Sequence, residues 1–342
     1  VERSIYLELT EDASAPIVFG WWPRRAPWRL PDMCERMTRC LPAARPKLDL
    51  VVLPDEPRAM EHWRCRPEMR GLGAWQVAFV SSRSPAEALL EAMASLAKHL
   101  DVRSCLFYPM YLTSEMQAMS RTLGFRGVIG DAMDHPICEL ANAKAWLHPH
   151  ICPEKRTGSL RDLAGSAARG PLGYIASSPA ELNLAFRTLR SELPECAKLV
   201  LKPSWASGGE GIVLDVSAEQ LERFDFPDRP GCLAVLEEMI EGGGSLISPT
   251  IYMVGGEPCG GLADQILDEG GAVNLGNRWP STLPDCLTES CVRAALALQE
   301  QWQLKSNWGL DFVLDGAGQP VIVDINMGRP NGNFAVRLWE SS

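Results

Sequence analysis

The feature that most constrains the fold is a pair of apolar runs near the carboxyl end of the chain. The runs are Phe312-Val313-Leu314 and Val321-Ile322-Val323, and the Asp315-Gly316-Ala317-Gly318-Gln319 stretch between them has the composition of a hairpin turn. Two antiparallel strands joined there would bring Asp311 beside Asp324, and the strand period of two points Asn326 to the same face as Asp324. Hard oxygen ligands grouped on one rigid face suit Mg²⁺, which in such sites commonly carries phosphates. The sequence therefore predicts a magnesium site formed by these three side chains.

A second candidate site lies at the end of another apolar run. Lys202 follows Leu199-Val200-Leu201, and the stretch from Pro203 to Gly211 is rich in glycine and serine. Glycine lets backbone N–H groups approach an anion closely, and the lysine adds a positive charge. Because no helix follows, this is neither a P-loop nor a dinucleotide fingerprint, and a flexible hairpin is the alternative. We predict that Lys202 binds phosphate and that the loop covers it through Ser204, Ser207, Gly208, Gly209 and Gly211.

The composition of the chain excludes several classes of function. Its 342 residues are enough for two or three domains, and its formal net charge of −10 argues against a nucleic-acid-binding surface. No apolar run has the length of a membrane span, and no signal peptide is visible. The 11 cysteines are scattered without a C-x-x-C pair, which argues against a disulfide framework and a zinc site. We therefore expect reduced thiols, a cytoplasmic location, and no nucleic-acid or membrane partner.

Residues 1–135 alternate short apolar runs with helical patterns. Four runs predict buried strands at 17–20, 50–53, 77–80 and 105–108. Apolar residues at helical spacing predict helices at 85–98 and 114–123, with Ser84 as the first N-cap and Gly124 ending the second. Strands that alternate with helices favour a parallel, Rossmann-like sheet. Since no G-x-G-x-x-G motif follows any of these strands, we predict no dinucleotide site in this domain.

Lys202 with its glycine-rich loop, followed downstream by Asp311, Asp324 and Asn326, resembles the ATP-grasp superfamily. The resemblance covers about residues 140–335. It implies an α/β and α+β protein: a Rossmann-like pre-ATP-grasp domain at 1–135, followed by a two-lobed ATP-grasp fold. The first lobe, at 136–231, carries the glycine-rich loop, and the second, at 232–342, carries the magnesium ligands. Three further blocks resemble the pheganomycin-type peptide ligases, namely Ser248-Pro249-Thr250, Asp264-Gln265 and Gly276-Asn277-Arg278-Trp279-Pro280.

The resemblance also implies a nucleotide site with ATP and Mg²⁺ as cofactors. Lys144 takes the place of the first phosphate-binding lysine, although an exposed helix lysine is the alternative. The Glu237-Glu238-Met239-Ile240 stretch takes the place of the hinge between the lobes. There, backbone groups pair with adenine, an acidic side chain helps, and Met239 and Ile240 flank the ring.

Two arginines are candidates for the substrate side of the site. Arg278 or Arg329 would present a planar guanidinium fork to the acyl phosphate or to the carboxylate substrate, although either arginine taken singly could be structural. The Asp264-Gln265 pair could orient a substrate amine or a ligand water. These residues are predicted to act on the substrate rather than on the nucleotide.

The chain departs from the superfamily pattern in two places. Asp324 stands where superfamily members generally carry Glu, and its side chain is shorter by one methylene, roughly 1.5 Å of reach. Mg²⁺ tolerates little error in its octahedral geometry, so the strand must shift inward, a water must intervene, or activity is reduced. Glu241 is the only acid available where a ribose-binding acid is common, and the glycines at 242–244 depart from the usual pattern, which leaves ribose recognition open.

The function implied by the resemblance is ATP-dependent ligation of a carboxylate to an amine. The product would be an amide or peptide bond formed through an acyl phosphate, with an amino acid as one substrate. A small-molecule kinase and a non-catalytic ATP-binding module are the alternatives. The expected partners are small-molecule carboxylates and amines, and homodimers are common in the superfamily. Because the chain begins at Val1 and ends soon after the acidic motif, we expect native residues to be missing at both ends.

Overall fold

The computed structural model of the chain describes residues 15–20, 49–55, 76–80, 85–96, 101–109, 114–128, 144–152, 169–195, 197–204, 211–224, 226, 233–240, 248–254, 256–269, 271, 274–304 and 308–327. The chain divides into two compact units, Val1–Cys138 with Gly328–Ser342, and Glu139–Met327. Both units combine sheets with helices, as the predicted fold class requires.

A parallel five-stranded sheet forms the core of the first unit. Its strands lie in the order β3-β2-β1-β4-β5, and the neighbouring strands pair in parallel. A parallel order that starts in the middle and grows outwards on both sides is that of a Rossmann-like sheet, which confirms the prediction for this domain. The strands are β1 (Ile17–Gly20), β2 (Leu50–Pro54), β3 (Val77–Val80), β4 (Leu106–Pro109) and β5 (Gly127–Val128).

Two helices provide the crossovers that parallel strands need. Helix α1 (Pro85–Leu96) connects β3 to β4, and α2 (Ser114–Leu123) connects β4 to β5. The start of α1 and both ends of α2 agree with the sequence prediction, and residues 97–98 of the predicted α1 lie outside the described residues. Gly124 follows α2 with a φ of 81°, a backbone conformation that favours glycine. Ser84, the predicted cap of α1, lies outside the described residues.

The second unit begins with helix α3 (Lys144–Ile151) and an antiparallel four-stranded sheet. The sheet has the order β6-β9-β7-β8. Its strands are β6 (Gly173–Ala176), β7 (Leu199–Pro203), β8 (Val213–Leu214) and β9 (Ala234–Glu238), and its helices are α4 (Pro179–Glu192) and the short α5 (Ala218–Glu222). The side chain of Ser178 caps α4 by accepting a hydrogen bond from the Glu181 N–H, and Pro179 occupies the first turn. Leu182 and Leu189 of α4 are buried in the core beside this sheet.

A second antiparallel sheet of five strands follows in the chain. Its order is β12-β11-β10-β13-β14, and helix α6 (Asp285–Trp302) packs against it. The strands are β10 (Ser248–Val254), β11 (Glu257–Leu267), β12 (Asn274–Arg278), β13 (Trp308–Leu314) and β14 (Pro320–Met327). Cys291, Ala294, Leu298 and Trp302 recur at helical spacing along α6 and are buried. The hairpin predicted at the end of the chain is therefore confirmed as β13–β14.

The strand Ala234–Glu238 lies in a different sheet from the one expected. It pairs with β6 and β7 of the four-stranded antiparallel sheet, whereas the sequence interpretation began the second lobe at residue 232. An isolated apolar run does not reveal which sheet it joins, because pairing depends on contacts distant in the chain. We therefore place the change of lobe after Glu238 rather than before Leu233. Among the described helices, none combines the length and the apolar character that crossing a bilayer demands.

The buried face of α6 generates a stability prediction. Leu298 is 0% exposed, whereas Leu296 on the same helix is 40% exposed. Leu298→Ala should lower the free energy of unfolding by about 2–5 kcal/mol, because it removes transfer free energy and leaves a cavity. Leu296→Ala is the matched control and should cost less than about 1 kcal/mol. Urea unfolding of the two variants measures the difference, and equal losses would show that α6 does not pack as described.

Candidate functional site

Helix α3 points Lys144 at the β13–β14 hairpin. Lys144 Nζ donates a hydrogen bond of 2.8 Å to Asp324 Oδ2, and the lysine is buried. On the opposite side of the helix, the rings of Trp146 and His150 pack against Trp302 of α6, with centroids 4.9 and 5.3 Å from it. This aromatic packing holds α3 so that Lys144 meets the acidic hairpin. The alternative of an exposed helix lysine is therefore wrong.

Ser204 fixes the start of α3 from the end of strand β7. Its carbonyl accepts the Lys144 N–H at 2.8 Å, and its hydroxyl accepts the Ala145 N–H at 3.3 Å. The first turn of a helix has N–H groups without partners in the helix, and Ser204 satisfies two of them. Because Ser204 lies two residues after Lys202, this cap places the helix of one lysine beside the strand of the other. Its predicted contact with phosphate stays a prediction.

The acidic hairpin brings together the three predicted magnesium ligands. Asp311 and Asp324 are direct partners across β13 and β14, as the sequence pattern predicts. The Asn326 side chain donates to Asp311 Oδ2 at 3.0 Å, and the Thr250 hydroxyl donates to Asp311 Oδ1 at 2.7 Å. The side chains of all four residues therefore lie on one face of the sheet. Their assignment as magnesium ligands stays a prediction.

Asp311 is held at an unfavourable electrostatic position. Burial raises its pKa, and the neighbouring charge of Asp324 raises it further, so that the pKa reaches about 6 despite contacts with Thr250, Gln265 and Lys144 that lower it. Two carboxylates that face each other cannot both ionise without cost. One lysine partner on Asp324 does not fully compensate them.

Lys202 connects the four-stranded sheet, which contains β7, to the five-stranded antiparallel sheet, which contains β14. Its ammonium forms an ion pair with Glu237 on the neighbouring strand β9 and donates to the Val323 carbonyl at 3.2 Å. The pairing of β13 with β14 shifts register between Asp311 and Phe312, so Val323 forms a bulge. A bulged residue has no partner opposite it on the paired strand, which leaves its carbonyl able to accept from Lys202. Lys144 and Lys202 therefore reach adjacent residues of one strand.

Glu237 is a buried carboxylate between two basic side chains. Burial raises its pKa, but Lys202 and His148 outweigh that effect and hold the pKa below its ordinary value. His148 lies one helical turn beyond Lys144, and its Nδ1 is 3.6 Å from Glu237 Oε2. Burial by itself lowers the pKa of His148, but Cys152 and Glu237 raise it to about 9. Sequence reasoning missed His148, although its spacing of four from Lys144 on a predicted helix is the signal that could have found it.

The rest of the predicted hinge forms hydrogen bonds with residues next to β6 and β7 of the four-stranded sheet. Glu238 Oε1 accepts the Leu172 N–H at 3.0 Å, and the Met239 N–H donates to the Lys198 carbonyl at 2.8 Å. Met239 and Ile240 follow β9 and are partly buried. Glu237 and Glu238 point to opposite sides of the strand, so only Glu237 shares the side of Lys202. The predicted role of this segment in binding adenine stays a prediction.

Arg278 is not brought together with the acidic hairpin. Its guanidinium donates to Asp264 at 2.8 Å and to the Thr282 hydroxyl at 3.1 Å. Asp264 and Gln265 are consecutive in β11, so they face opposite sides of the sheet, and Gln265 is on the side of Thr250 and Asp311. Asp264, which pairs with Arg278 across the strands, is therefore on the other side. There it also accepts hydrogen bonds from the Thr282 N–H and hydroxyl ahead of α6.

The loop after β7 is described only at its ends. Gly211 has a φ of 70°, and a Cβ there would lie 2.9 Å from Pro203 Cγ, so this position favours glycine on two grounds. Ser207, Gly208 and Gly209 lie outside the described residues, and so does Arg329. The short strand β8 follows the loop, which confirms that no helix follows it.

The residues of the hairpin fit a divalent cation with phosphates. The carboxylates of Asp311 and Asp324 carry more negative charge than their surroundings compensate, and a cation would relieve this. Lys144 and Lys202 supply positive charge beside them for an anion. Within the part of the chain that the structure describes, no group of three or more His, Cys, Asp or Glu is arranged to hold a metal ion. The candidate ligand set is therefore two carboxylates with the side chain of Asn326.

The raised pKa of Asp311 predicts how stability depends on pH. The pKa of Asp311 rises on folding from 3.8 to about 6. Its carboxyl group therefore lowers the free energy of unfolding at pH values above about 6 and has no such effect at pH values below 3.8. Asp311→Asn should therefore stabilise the metal-free protein at pH 7, by on the order of 1–2 kcal/mol after solvent screening. The gain should shrink as the pH falls from about 6 towards 4. Urea unfolding in chelating buffer measures it, and a gain that is the same at all these pH values would contradict the assignment.

Known proteins share the fold of this chain. Residues 179–333 match the family model described as an ATP-grasp domain. The search of the curated proteins returned no match. Three solved structures are similar to the chain. The first is the biotin carboxylase domain of 2-oxoglutarate carboxylase from Hydrogenobacter thermophilus, in complex with MgADP, ADP and bicarbonate. The second is the D-Ala:D-Ser ligase from Enterococcus faecalis, and the third is the D-alanine–D-alanine ligase from Bacillus anthracis, in complex with ATP.

These structures differ strongly from the chain in sequence. Their identities to it are 14%, 12% and 13%, and their TM-scores are 0.58, 0.56 and 0.52, in the same order. The matches cover 96%, 95% and 96% of this chain, and 70%, 97% and 96% of those chains. At such identities the likeness shows the fold alone. Residues 179–333 therefore resemble an ATP-grasp domain, and the two antiparallel sheets of the second unit have the ATP-grasp fold.

Proposed function

We propose that the protein is an ATP-dependent carboxylate–amine ligase. The observation that carries the proposal is the meeting of Lys144 and Lys202, 58 positions apart in the chain, at the adjacent residues Asp324 and Val323. Such a constellation has cations for phosphates next to carboxylates for Mg²⁺. Solved proteins with this fold contain ADP, ATP or MgADP, and two of the three described above are named as ligases of amino acids.

Each group of residues has a distinct part in the proposal. Asp311, Asp324 and Asn326 would hold Mg²⁺, and Lys144 and Lys202 would bind the phosphates. Glu237, Glu238, Met239 and Ile240 would contact adenine, and the loop with Ser204, Ser207, Gly208, Gly209 and Gly211 would exclude water. Bound MgATP would supply the phosphoryl group that activates the carboxylate as an acyl phosphate with release of ADP, and an amine would then displace phosphate to form the amide. Catalysis of this kind depends on positioning and electrostatics, so it needs no nucleophilic side chain.

The finer assignment concerns the substrates. We infer small-molecule substrates, an amino acid as one of them, and a peptide bond as the product, as in the pheganomycin-type ligases that the motifs resemble. Arg329 is the arginine we propose for the acyl phosphate or the carboxylate. The face that carries Asp311 has Gln265, whose side chain accepts from Asn274 at 2.9 Å, and Asn277, whose side chain donates to the Tyr252 hydroxyl at 2.9 Å. These neutral polar side chains suit an uncharged part of a substrate. A homodimer and a cytoplasmic location stay predictions.

Hydroxylamine trapping tests the reaction class. Incubating the protein with MgATP, hydroxylamine and single amino acids should give a hydroxamate and ADP for the correct acid. ADP and a phosphorylated product without hydroxamate would support a small-molecule kinase instead. Nucleotide binding without turnover for any acid would support a non-catalytic module.

Lys202 provides a test of the phosphate site. Lys202→Met removes the ammonium while keeping the length of the side chain, so ADP affinity in the presence of Mg²⁺ should fall at least tenfold. Arg223→Ala is the control, because this exposed arginine pairs only with the exposed Glu219 among the contacts described and should leave affinity unchanged. Lys144→Met provides a second variant if loss of Lys202 unfolds the protein by leaving Glu237 poorly compensated. Wild-type affinity in both lysine variants would remove the phosphate assignment.

Asp324 provides a test of the metal site. Asp324→Asn should weaken Mg²⁺-dependent ADP binding about tenfold, since an amide is a poorer ligand for a hard cation than a carboxylate is. Asp324→Glu should retain the magnesium dependence, because it keeps the charge and adds reach. Calorimetric titration with ADP at several Mg²⁺ concentrations distinguishes the two. If the Asn variant depends on Mg²⁺ as the wild type does, Asp324 is not a ligand.

A further inference from the structure

His148 is a buried base beside the proposed phosphate site that the reaction does not use. It is 2% exposed, and its Nδ1 lies 3.6 Å from Glu237 Oε2, while Lys202 pairs with Glu237 Oε1. At 3.6 Å the contact of Nδ1 with Glu237 is longer than an ordinary hydrogen bond, so it attracts the carboxylate through charge when the imidazole is protonated. A buried imidazole beside one oxygen of a carboxylate can compensate part of the negative charge of that carboxylate.

The arrangement poses a problem of charge for Lys202. A lysine that must attract phosphate loses much of its field when a buried carboxylate is its partner, because ion pairs are strong at low local dielectric constant. Glu237 is 4% exposed, so water screens its charge only weakly. A second cation on the other oxygen of Glu237 shares the carboxylate and leaves net positive charge at Lys202.

We propose that His148 is a positioning residue for the nucleotide site: its imidazolium holds Glu237 and thereby preserves the positive charge of Lys202 toward phosphate. The inference rests on the proposed function. The contact of His148 that carries this role is the one with Glu237, so His148 acts through that carboxylate.

The groups around His148 are consistent with a cation at this position. Glu237 of β9 and Cys152, just after α3, raise its pKa to about 9, against the effect of burial. Strand β14 contributes Asp324, which is paired with Lys144 on the same helix, and β7 contributes Lys202, which is paired with Glu237. Lys202 is the cation that opposes protonation of His148, and Glu237 screens it.

Strand β6 closes the space beneath this cluster. Gly173 is the partner of Glu237 across β6 and β9. A Cβ at Gly173 would lie 2.6 Å from the Leu236 carbonyl oxygen and 2.7 Å from Glu237 Cβ. No side chain fits there without moving the backbone of β9. Since Glu237 is also buried, His148 and Lys202 are its compensating charges among the described residues.

The first experiment measures His148 in the protein without nucleotide. NMR titration of protein with ¹³C-labelled histidine resolves 5 residues, and His148→Gln identifies the resonance by its loss. We expect His148 to stay protonated at pH 7.5 and to titrate near pH 9. Glu237→Gln should lower that titration point by at least one pH unit. A His148 that is neutral at pH 7.5 overturns the proposal.

The second experiment measures the effect on the nucleotide site. Calorimetric titration with ADP and Mg²⁺ should show about tenfold weaker binding for His148→Gln. In the Glu237→Gln background the same substitution should change affinity less than about threefold, since no carboxylate remains to be shared. Wild-type affinity should fall as the pH rises through about 9, and His148→Gln should lose that step. A His148 with a merely structural role would change stability without these two effects.

His150→Gln is the matched control on the same helix. His150 packs on Trp146 and Trp302, on the side of α3 away from Glu237, so its replacement should leave ADP affinity within about twofold. Equal affinity of wild type and His148→Gln, with the same pH profile, overturns the role of His148 alone. Failure of the wild-type protein to bind ADP overturns the proposed function and this inference together.

Discussion

The structure of the candidate site depends on two lysines that reach one strand of the opposite sheet. Lys144 contacts Asp324, and Lys202 contacts the carbonyl of its neighbour Val323. The bulge in β14 makes the second contact available, and the Ser204 cap fixes the helix that makes the first. Moving any one of these features would separate the basic residues of α3 and β7 from the acidic hairpin. The geometry of the proposed catalysis is thus a consequence of how two sheets are joined.

Charge compensation is uneven across the site, and this unevenness bears on binding. In the four-stranded sheet, Glu237 has Lys202 and His148 as partners, and its pKa lies below the ordinary value. In the five-stranded antiparallel sheet, Asp311 faces Asp324, and its pKa is raised. The first arrangement is complete without a ligand, whereas the second is relieved by a cation. Strain of this kind is common where a protein binds an ion, because the ion is part of the balance.

Much of the site could be predicted because its residues lie in local patterns. The alternation of β13 and β14 and the turn between them predict that Asp311 faces Asp324, and the register agrees. Lys144 and Lys202 could be placed at a helix and at a strand end. The role of His148 could not be predicted, because its partner Glu237 lies on a strand that is distant in the sequence and only the tertiary structure brings the two together. The surroundings of Arg278 could not be predicted for a similar reason, since only the pairing of β11 with β12 shows that it lies opposite Asp264.

The amino-acid sequence alone specified four strands and two helices of the first unit and the β13–β14 hairpin, because apolar periodicity, caps and turn residues act over a few positions. It also specified which side chains share a face within one hairpin. Tertiary structure decided which sheet receives the strand Ala234–Glu238, which carbonyl meets Lys202, and which residues surround Glu237. Those outcomes depend on contacts between residues far apart in the chain. Such contacts are selected by packing and charge over the whole unit, and no local pattern encodes them.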